Sequence, residues 1–389
     1  MEAGSESRRK ILCVSVMKSW GGGEEFILKL HDSIKSFEFI VVTPEGKAAQ
    51  KFSSGGIRTI INNYQSKVYR KSGWSLPDYL QIFFGIMLST LKFISIFKKE
   101  RPAIVLANGL FAALYVLPAV ILTGKKQITI QHLIFETNSI EKNILKLVMR
   151  FTDKIVCVSN AVKENIYSMV KQPYPDKMVI IPNGIRAADS SVPVYKQGDI
   201  IHIGMTGSIT RIKGIHFAIE ALEGILKDGK AVLHIYGEAG GDEDSLKYES
   251  ELKNMISHQM IEDKVLFEGH IESKEKLYSS IDILISFSVI PESFSFSVLE
   301  AMAYKKIVIA ADSGGPKELI KDGENGFLVE MKNTSALKTK ILYCLGNLGT
   351  DEFYQIRHRA FETVRKDYSI EKFVNGYTNL FDNLNNKAN

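Results

Sequence analysis

Residues Pro291–Leu319 read PESFSFSVLEAMAYKKIVIAADSGGPKEL, and they come just after an apolar run of strand length, Ile281 to Phe287 (IDILISF). A polar turn holding Glu292 separates that run from a helical pattern carrying Glu300, and Ile307–Ala311 (IVIAA) then reads as a second buried strand. This is one βαβ unit. Strands of a parallel sheet end on a common edge, so Glu292 and the helix start are expected outside the carboxyl ends, where open α/β sheets take their ligands. A helix beginning near Ser297 puts Glu300 in its first turn and leaves the N–H groups of Phe294 to Ser297 pointing outward, where they attract anions or hydroxyl oxygens. Two carboxylates beside such donors suit a polyhydroxylated, phosphorylated ligand. An acid in a first helical turn also complements the helix dipole with no ligand at all, so Glu300 alone reads as structural.

The wider arrangement is more specific. Glu292, Phe294, Glu300 with Ala301-Met302-Ala303 directly after it, a strand, and Gly314-Gly315 leading to Glu318 together resemble the Glu-x7-Glu signature of the GT4 family of retaining glycosyltransferases. Ser295 stands where many members of that family carry Gly. The resemblance implies the α/β GT-B architecture, two Rossmann-like domains facing each other across a cleft with the last helix crossing back to the first domain.

Length and composition agree with two domains. The chain has 389 residues, too many for one ordinary core, and is 45% hydrophobic and 24% charged. Cys13, Cys157 and Cys344 are far apart with no CxxC or Cys/His metal spacing, which points to a reducing, cytoplasmic setting, and the polar start MEAGSESRRK does not read as a secretory signal. The net charge of +5 is unevenly placed: residues 1–185 hold 25 Lys+Arg against 14 Asp+Glu, the remainder 24 against 30. An anionic partner is therefore expected on the first half. No stacking aromatics alternate with the basic residues in a recognisable nucleic-acid module, so nucleic acid is not expected.

Taken in order, Lys10 to Val16 reads as a first buried strand running into Gly21-Gly22-Gly23-Glu24 before a helical pattern. The glycines lack both the GxGxxG spacing and a Walker lysine, and alone they are a tight turn. They resemble the family's Gly-Gly-x-Glu loop, which lies near donor phosphates and acceptor. Between Ser66 and Pro77 a basic loop with Tyr69, Arg70, Lys71 and Trp74 is a candidate acceptor contact. Tyr79 to Phe97 is the most apolar run and long enough for a bilayer, but Gln81, Ser89, Thr90, Lys92 and Ser95 interrupt it, so a packed helix is expected. His132 follows the strand Gln127 to Gln131, where a lone His is often just a satisfied edge residue; it resembles the family's His near the donor sugar. The helix Glu141 to Phe151 sets Lys142, Lys146 and Arg150 opposite apolar residues and, with Lys98 to Arg101, is the leading candidate for contact with an anionic membrane. Ser159 or Asn160 caps the next helix.

After the Pro182-Asn183-Gly184 turn, which matches the family hinge, Thr206 to Gly214 holds Arg211 and Lys213 in a strand-to-helix loop. Fixed cations there stabilise a departing diphosphate as its charge grows. Lys213-Gly214 resembles the family's Lys-Gly; the usual Arg after the loop's first Gly is replaced by Ser208, with Arg211 as its candidate substitute. Glu238 to Asp244, with Asp242-Glu243-Asp244, reads as a solvated loop rather than a metal site, and Gly269-His270-Ile271 resembles the family's base-binding loop.

Residues 1–185 with 369–389 thus form the expected acceptor domain, and 186–368 the nucleotide-sugar domain. The resemblance implies retaining transfer of a sugar from a nucleotide diphosphate, by family habit a UDP-sugar, to a hydroxyl of a glycan or lipid-linked acceptor in cell-surface polysaccharide or lipopolysaccharide-type synthesis, without metal or cofactor, in the cytoplasm or at the inner face of the membrane. In it Glu292 accepts from the sugar, Glu300 from the ribose, Lys213 and Arg211 hold the diphosphate, the Phe294–Ser295–Phe296 amides and the Gly21–Gly23 loop complete the contacts, and His132 caps the sugar. A nucleotide-sugar epimerase, a non-catalytic sugar-nucleotide-binding subunit and a phosphorylase are the competing readings; no pyridoxal lysine motif is visible for the last.

Overall fold

Hydrophobic runs with no polar alternation make strands buried on both faces, which is what parallel sheets require. In the computed structural model, which describes residues 8–65, 75–135, 139–170, 174–187 and 200–386, these runs build two separate sheets, one in each of two units: Met1–Pro182 with Phe373–Asn389, and Asn183–Lys372.

The first unit runs β1 (Arg9–Val14), α1 (Gly22–Ser33), β2 (Phe37–Thr43), α2 (Lys47–Ser54), β3 (Arg58–Ile61), α3 (Leu76–Glu100), β4 (Ile104–Asn108), α4 (Leu110–Thr123), β5 (Lys126–Gln131), α5 (Ser139–Phe151), β6 (Lys154–Cys157), α6 (Asn160–Met169) and β7 (Met178–Ile180). The strands pair in parallel in the order β3-β2-β1-β4-β5-β6-β7. Order reverses between β1 and β4, so the loops leaving those strands diverge and open a crevice at their carboxyl ends. Ile11–Val14 and Ile104–Ala107 are fully buried at the centre of this sheet. Of the two candidate caps of α6, Ser159 is the one used: its hydroxyl accepts from Val162 N–H at 3.1 Å. The basic loop holding Tyr69, Arg70, Lys71 and Trp74 lies outside the described residues.

The second unit runs β8 (Ile201–Thr206), α7 (Ile215–Lys227), β9 (Ala231–Tyr236), α8 (Glu243–His258), β10 (Val265–Gly269), α9 (Lys274–Ser279), β11 (Ile283–Ser286), α10 (Phe296–Ala303), β12 (Ile307–Ala311), α11 (Gly314–Leu319), β13 (Phe327–Val329), α12 (Thr334–Asn347) and α13 (Asp351–Asp367). Its parallel order is β10-β9-β8-β11-β12-β13, with the reversal between β8 and β11. Alternate side chains feed two cores, Ile203, Leu233, Ile283 and Ile307 on one face and Leu284, Val308, Val298 and Met302 on the other. The last helix, α14 (Ile370–Asn386), carries Phe373, Tyr377 and Phe381 into the first unit, where Phe26 packs edge-on against Phe373 and Tyr377 at ring-centroid distances of 5.8 and 5.5 Å.

Two local expectations are corrected. The acidic run is a helix start rather than a loop: the Asp242 carboxylate accepts from Ser245 N–H at 3.1 Å, and Glu243 and Asp244 fall in the first turn of α8, where the helix dipole favours acids. In turn, α10 begins at Phe296, capped at Ser295, which moves Glu300 out of the first turn and into the second. The dipole reading of Glu300 therefore lapses. The three cysteines are free and buried, and burial pushes the Cys157 and Cys344 thiols up to about 12, leaving them protonated and inert.

Three glycines in left-handed or related conformations close the carboxyl ends of the second sheet: Gly207 (φ 122°), Gly237 (φ 150°) and Gly269 (φ 68°). Gly237 N–H donates to Gly269 C=O at 2.8 Å, and a Cβ on Gly237 would sit 1.9 Å from the Gly207 carbonyl oxygen. Gly237→Ala is accordingly expected to lower stability by at least about 2 kcal/mol. Urea denaturation followed by circular dichroism checks this, and an unchanged midpoint would refute the close approach.

Candidate active site

The second unit places a cation and a carboxylate together at the point where its strand order reverses. Lys213 ends a 3-10 turn, Arg211–Lys213, closed by Lys213 N–H donating to Thr210 C=O at 3.0 Å. Gly214 (φ 66°) then turns the chain into α7, and a Cβ there would lie 2.2 Å from the Phe287 carbonyl oxygen. Only glycine lets this loop press against the end of β11, a contact completed by Val289 N–H donating to Ile212 C=O at 2.8 Å. The Lys213 stem crosses Gly207, whose hypothetical Cβ would be 3.1 Å from Cε, and its Nζ reaches Glu292 Oε1 at 2.5 Å.

Glu292 is fixed from the other side by the second glycine pair. Gly315 N–H donates to the Glu292 carbonyl at 2.7 Å, while Cβ atoms on Gly314 (φ 59°) and Gly315 would fall 2.2 Å from Glu292 O and 2.6 Å from Phe294 Cα. The Ser288 hydroxyl donates to the same Oε1 at 2.5 Å. Burial alone would raise this carboxyl, but the charge and hydrogen bond of Lys213, with Ser288 and Ser295, outweigh it and hold Glu292 below the ordinary carboxylate range. Glu292 is therefore an ionised group that can only accept.

Glu300 stands eight residues further on, in the second turn of α10. The buried Tyr278 hydroxyl donates to its Oε2 at 2.9 Å, and Lys274 Nζ reaches the same oxygen at 3.0 Å. Burial, then the charge of Glu300, pushes the Tyr278 phenol well up, so it stays a donor. Phe294 and Phe296 meet edge to face at 5.4 Å beside this segment. Ser208 and His270 are exposed, Gly269 is partly covered, and Ile271 is partly buried against the core. Arg211 pairs with Glu251 and lies over the Tyr248 ring at 5.0 Å, while more than half exposed.

In the first unit the loops after β1, β4 and β5 enclose a mostly apolar pocket of about 250 Å³, lined by Gly21–Glu24, Asn108–Phe111 and His132 among others. Asn108 is its joint. The amide Nδ2 donates to Gly23 C=O at 3.0 Å, which assigns Oδ1 as the acceptor from His132 Nε2 at 2.7 Å. Desolvation pushes the imidazole down to about 4, so it is neutral near pH 7, with the proton on Nε2 and a lone pair on Nδ1. Phe26 packs edge-on to the ring at 4.9 Å. Glu24 is buried beneath the glycines and accepts from Ser15 Oγ at 2.9 Å.

Two family models cover most of the chain: Glycosyltransferase Family 4 matches residues 20–189, and Glycosyl transferases group 1 matches residues 193–359. The chain belongs to the GT4 family of glycosyltransferases. An uncharacterized glycosyltransferase of Methanocaldococcus jannaschii is 28% identical over 242 residues, a match that covers 60% of this chain and 60% of that relative. The crystal structure of a glycosyltransferase from Rickettsia africae superposes with a TM-score of 0.80 at 23% identity, covering 97% of this chain and 99% of that one. The Anabaena protein HepE, solved in complex with UDP, gives 0.78 at 18% identity, covering 96% of this chain and 100% of that one. These likenesses establish the GT-B fold, two Rossmann-like α/β domains.

Several residues of this candidate site carry little signal in the sequence. Ser288 lies four residues before Glu292, and Asn108 stands at the carboxyl end of β4, a position on the ligand side of a parallel sheet. Lys274 and Tyr278 had no signal beyond helical spacing.

The neutral state of His132 has a stability signature. Its value falls from the ordinary 6.5 to about 4 in the folded protein. Between those limits the unfolded chain binds a proton that the folded one does not. The contribution is thus complete above about pH 6.5 and is lost as pH falls toward 4, on the order of 2 kcal/mol for this half-buried ring. His132→Gln should flatten the decline in urea midpoint between pH 7 and pH 4.5; parallel declines would contradict the assignment.

Proposed function

We propose that this protein transfers a sugar from a UDP-sugar to a hydroxyl of a glycan or lipid-linked acceptor, with retention of anomeric configuration and without a metal ion, in cell-surface polysaccharide or lipopolysaccharide-type synthesis on the cytoplasmic side. The observation that carries the reading is the Lys213–Glu292 pair at the strand-order reversal of the second unit, with Ser288 on the same carboxylate oxygen. A donor brings a diphosphate and sugar hydroxyls, and an ammonium with an ionised, acceptor-only carboxylate matches those two needs. As the glycosidic bond breaks, charge grows on the leaving diphosphate, and a preplaced cation gains most at that moment. Glu300, whose Oε2 is held by Tyr278 and Lys274, is the group assigned to the ribose. Support for the base comes from HepE, which has been solved with UDP.

The first unit offers a different chemistry, suited to an acceptor. Its pocket is mostly apolar, and His132 presents a neutral ring with an accepting Nδ1. Such a group takes a hydrogen bond from a hydroxyl without adding charge to the site. Arg211 is the weaker candidate at the diphosphate, since it would first have to leave its exposed pair with Glu251.

The test is UDP release from a panel of UDP-sugars with and without glycan and lipid-linked acceptors, the product's anomeric configuration being read by NMR. Acceptor-dependent release with the donor's anomeric configuration kept supports the proposal; interconversion of the donor sugar without any acceptor would make the protein an epimerase instead. Lys213→Ala and Glu292→Gln should each lower kcat by about 10²–10³, and Arg211→Ala by less than about tenfold. Full turnover in Glu292→Gln would refute the assigned role of this carboxylate, and donor binding with no turnover on any donor–acceptor pair would point to a sugar-nucleotide-binding protein.

A further inference from the structure

Helix α3 is apolar on its exposed side as well as on its buried one. Leu76, Leu80, Phe83, Met87 and Leu91 recur at spacings of four, three, four and four residues, one helical stripe, and all of them face water. Leu76 is 72% exposed, Phe83 62% and Leu91 66%. The buried side of the same helix includes Asp78, Gly85 and Ser89 beside Ile82, Phe93 and Phe97. Asn62 Nδ2 donates to Ser89 Oγ at 3.3 Å, and a Cβ on Gly85 would lie 2.6 Å from the Tyr64 carbonyl oxygen. Small and polar residues therefore fix which side turns inward. The helix cannot roll to hide its apolar stripe without breaking these contacts.

The polar residues interrupting this run favoured a packed helix, and α3 is packed on one side only. By length and composition it would cross a bilayer, yet Ile82, Phe93, Ile96 and Phe97 anchor it along the first unit. A helix held in this way lies along an interface rather than through it. From Leu76 to Leu91 the stripe runs about 22 Å, an apolar patch that a protein seldom leaves in water unless something covers it.

Charge decides what covers it. Lys98 falls seven residues after Leu91 and so continues the stripe as a cation, with Lys99 and Arg101 beside it. On α5, exposed Lys146 and Arg150 flank the exposed apolar side chains of Leu147 and Phe151. A second copy of the chain would bring another basic unit against this one, since residues 1–185 hold 25 Lys+Arg against 14 Asp+Glu. An anionic lipid surface offers acyl chains to the stripe and phosphates to the lysines. We propose that the outward face of α3 seats the protein on an anionic lipid bilayer, with Leu80, Phe83, Met87 and Leu91 entering the headgroup–acyl boundary and Lys98 and Lys99 meeting lipid phosphates.

Vesicle binding is read without donor or acceptor, so it stands or falls separately from the transfer reaction. The full chain is floated with vesicles of phosphatidylcholine alone and of phosphatidylcholine with phosphatidylglycerol. It should float with the anionic vesicles and stay behind with the neutral ones. Phe83→Gln with Met87→Gln and Leu91→Gln should lower the partition coefficient by about tenfold or more, and Lys98→Gln with Lys99→Gln should weaken binding and its salt dependence. A Phe83→Trp variant checks insertion directly, its emission shifting to the blue on anionic vesicles. The proposal is overturned if the protein does not float, if it floats equally with neutral vesicles, if the apolar variants bind as well as the parent, or if sedimentation shows a dimer that the apolar variants dissociate.

Discussion

The candidate site of the second unit depends on one ion pair that would be costly to maintain anywhere else. Lys213 and Glu292 are mostly withdrawn from water, with side-chain exposures of 32% and 12%, and charges so placed lose hydration that their mutual attraction only partly restores. Hydrogen bonds from Ser288 and Ser295 to the carboxylate offset part of that loss. The remainder is carried by backbone geometry: Gly214 lets the lysine loop touch β11, and Gly314 and Gly315 let the Glu292 loop touch the start of α11. Remove either contact and the two charges would have no reason to meet.

The two units use the same topology for opposite electrostatics. Each is a parallel sheet whose strand order reverses once, and each has loops diverging at that reversal. In the second unit the loops bring full charges together. In the first they bring a neutral chain, Gly23 C=O to Asn108 to His132, around an apolar pocket. The low value of the imidazole follows from desolvation in that mostly apolar pocket. Polarity is thus set locally by what leaves each strand end, and not by the fold.

The same reasoning separates α3 from an ordinary core helix. Its hydropathy alone describes a helix that should vanish into the interior. Gly85 against Tyr64 and Ser89 against Asn62 pack on the enclosed side with Ile82, Phe93 and Phe97, and leave the stripe of Leu80, Phe83, Met87 and Leu91 outside. Helix α14 shows the normal case, where Phe373, Tyr377 and Phe381 are all buried, and Phe26 meets the first two.

Much was legible in the residues. Long uninterrupted runs such as IVIAA at Ile307–Ala311 can only be strands buried on both faces, so the parallel sheets and their βαβ units follow from composition and period. Glu292, Glu300, Lys213 and the glycine pair at Gly314 stood out because their types and spacing form a pattern along the chain. What stayed hidden depended on contacts between distant positions. Nothing near Arg211 in sequence announces Glu251, 40 residues away, and nothing near Gly23 announces Asn108, 85 residues away. Periodicity gives the width of an apolar stripe on a helix but not which way it turns, because that is decided by the size and polarity of whatever packs against the other side. Sequence by itself determined the elements, their order and the chemical types at the strand ends; tertiary structure alone decided partners, protonation and exposure, since each of these is a property of a neighbourhood and not of a residue.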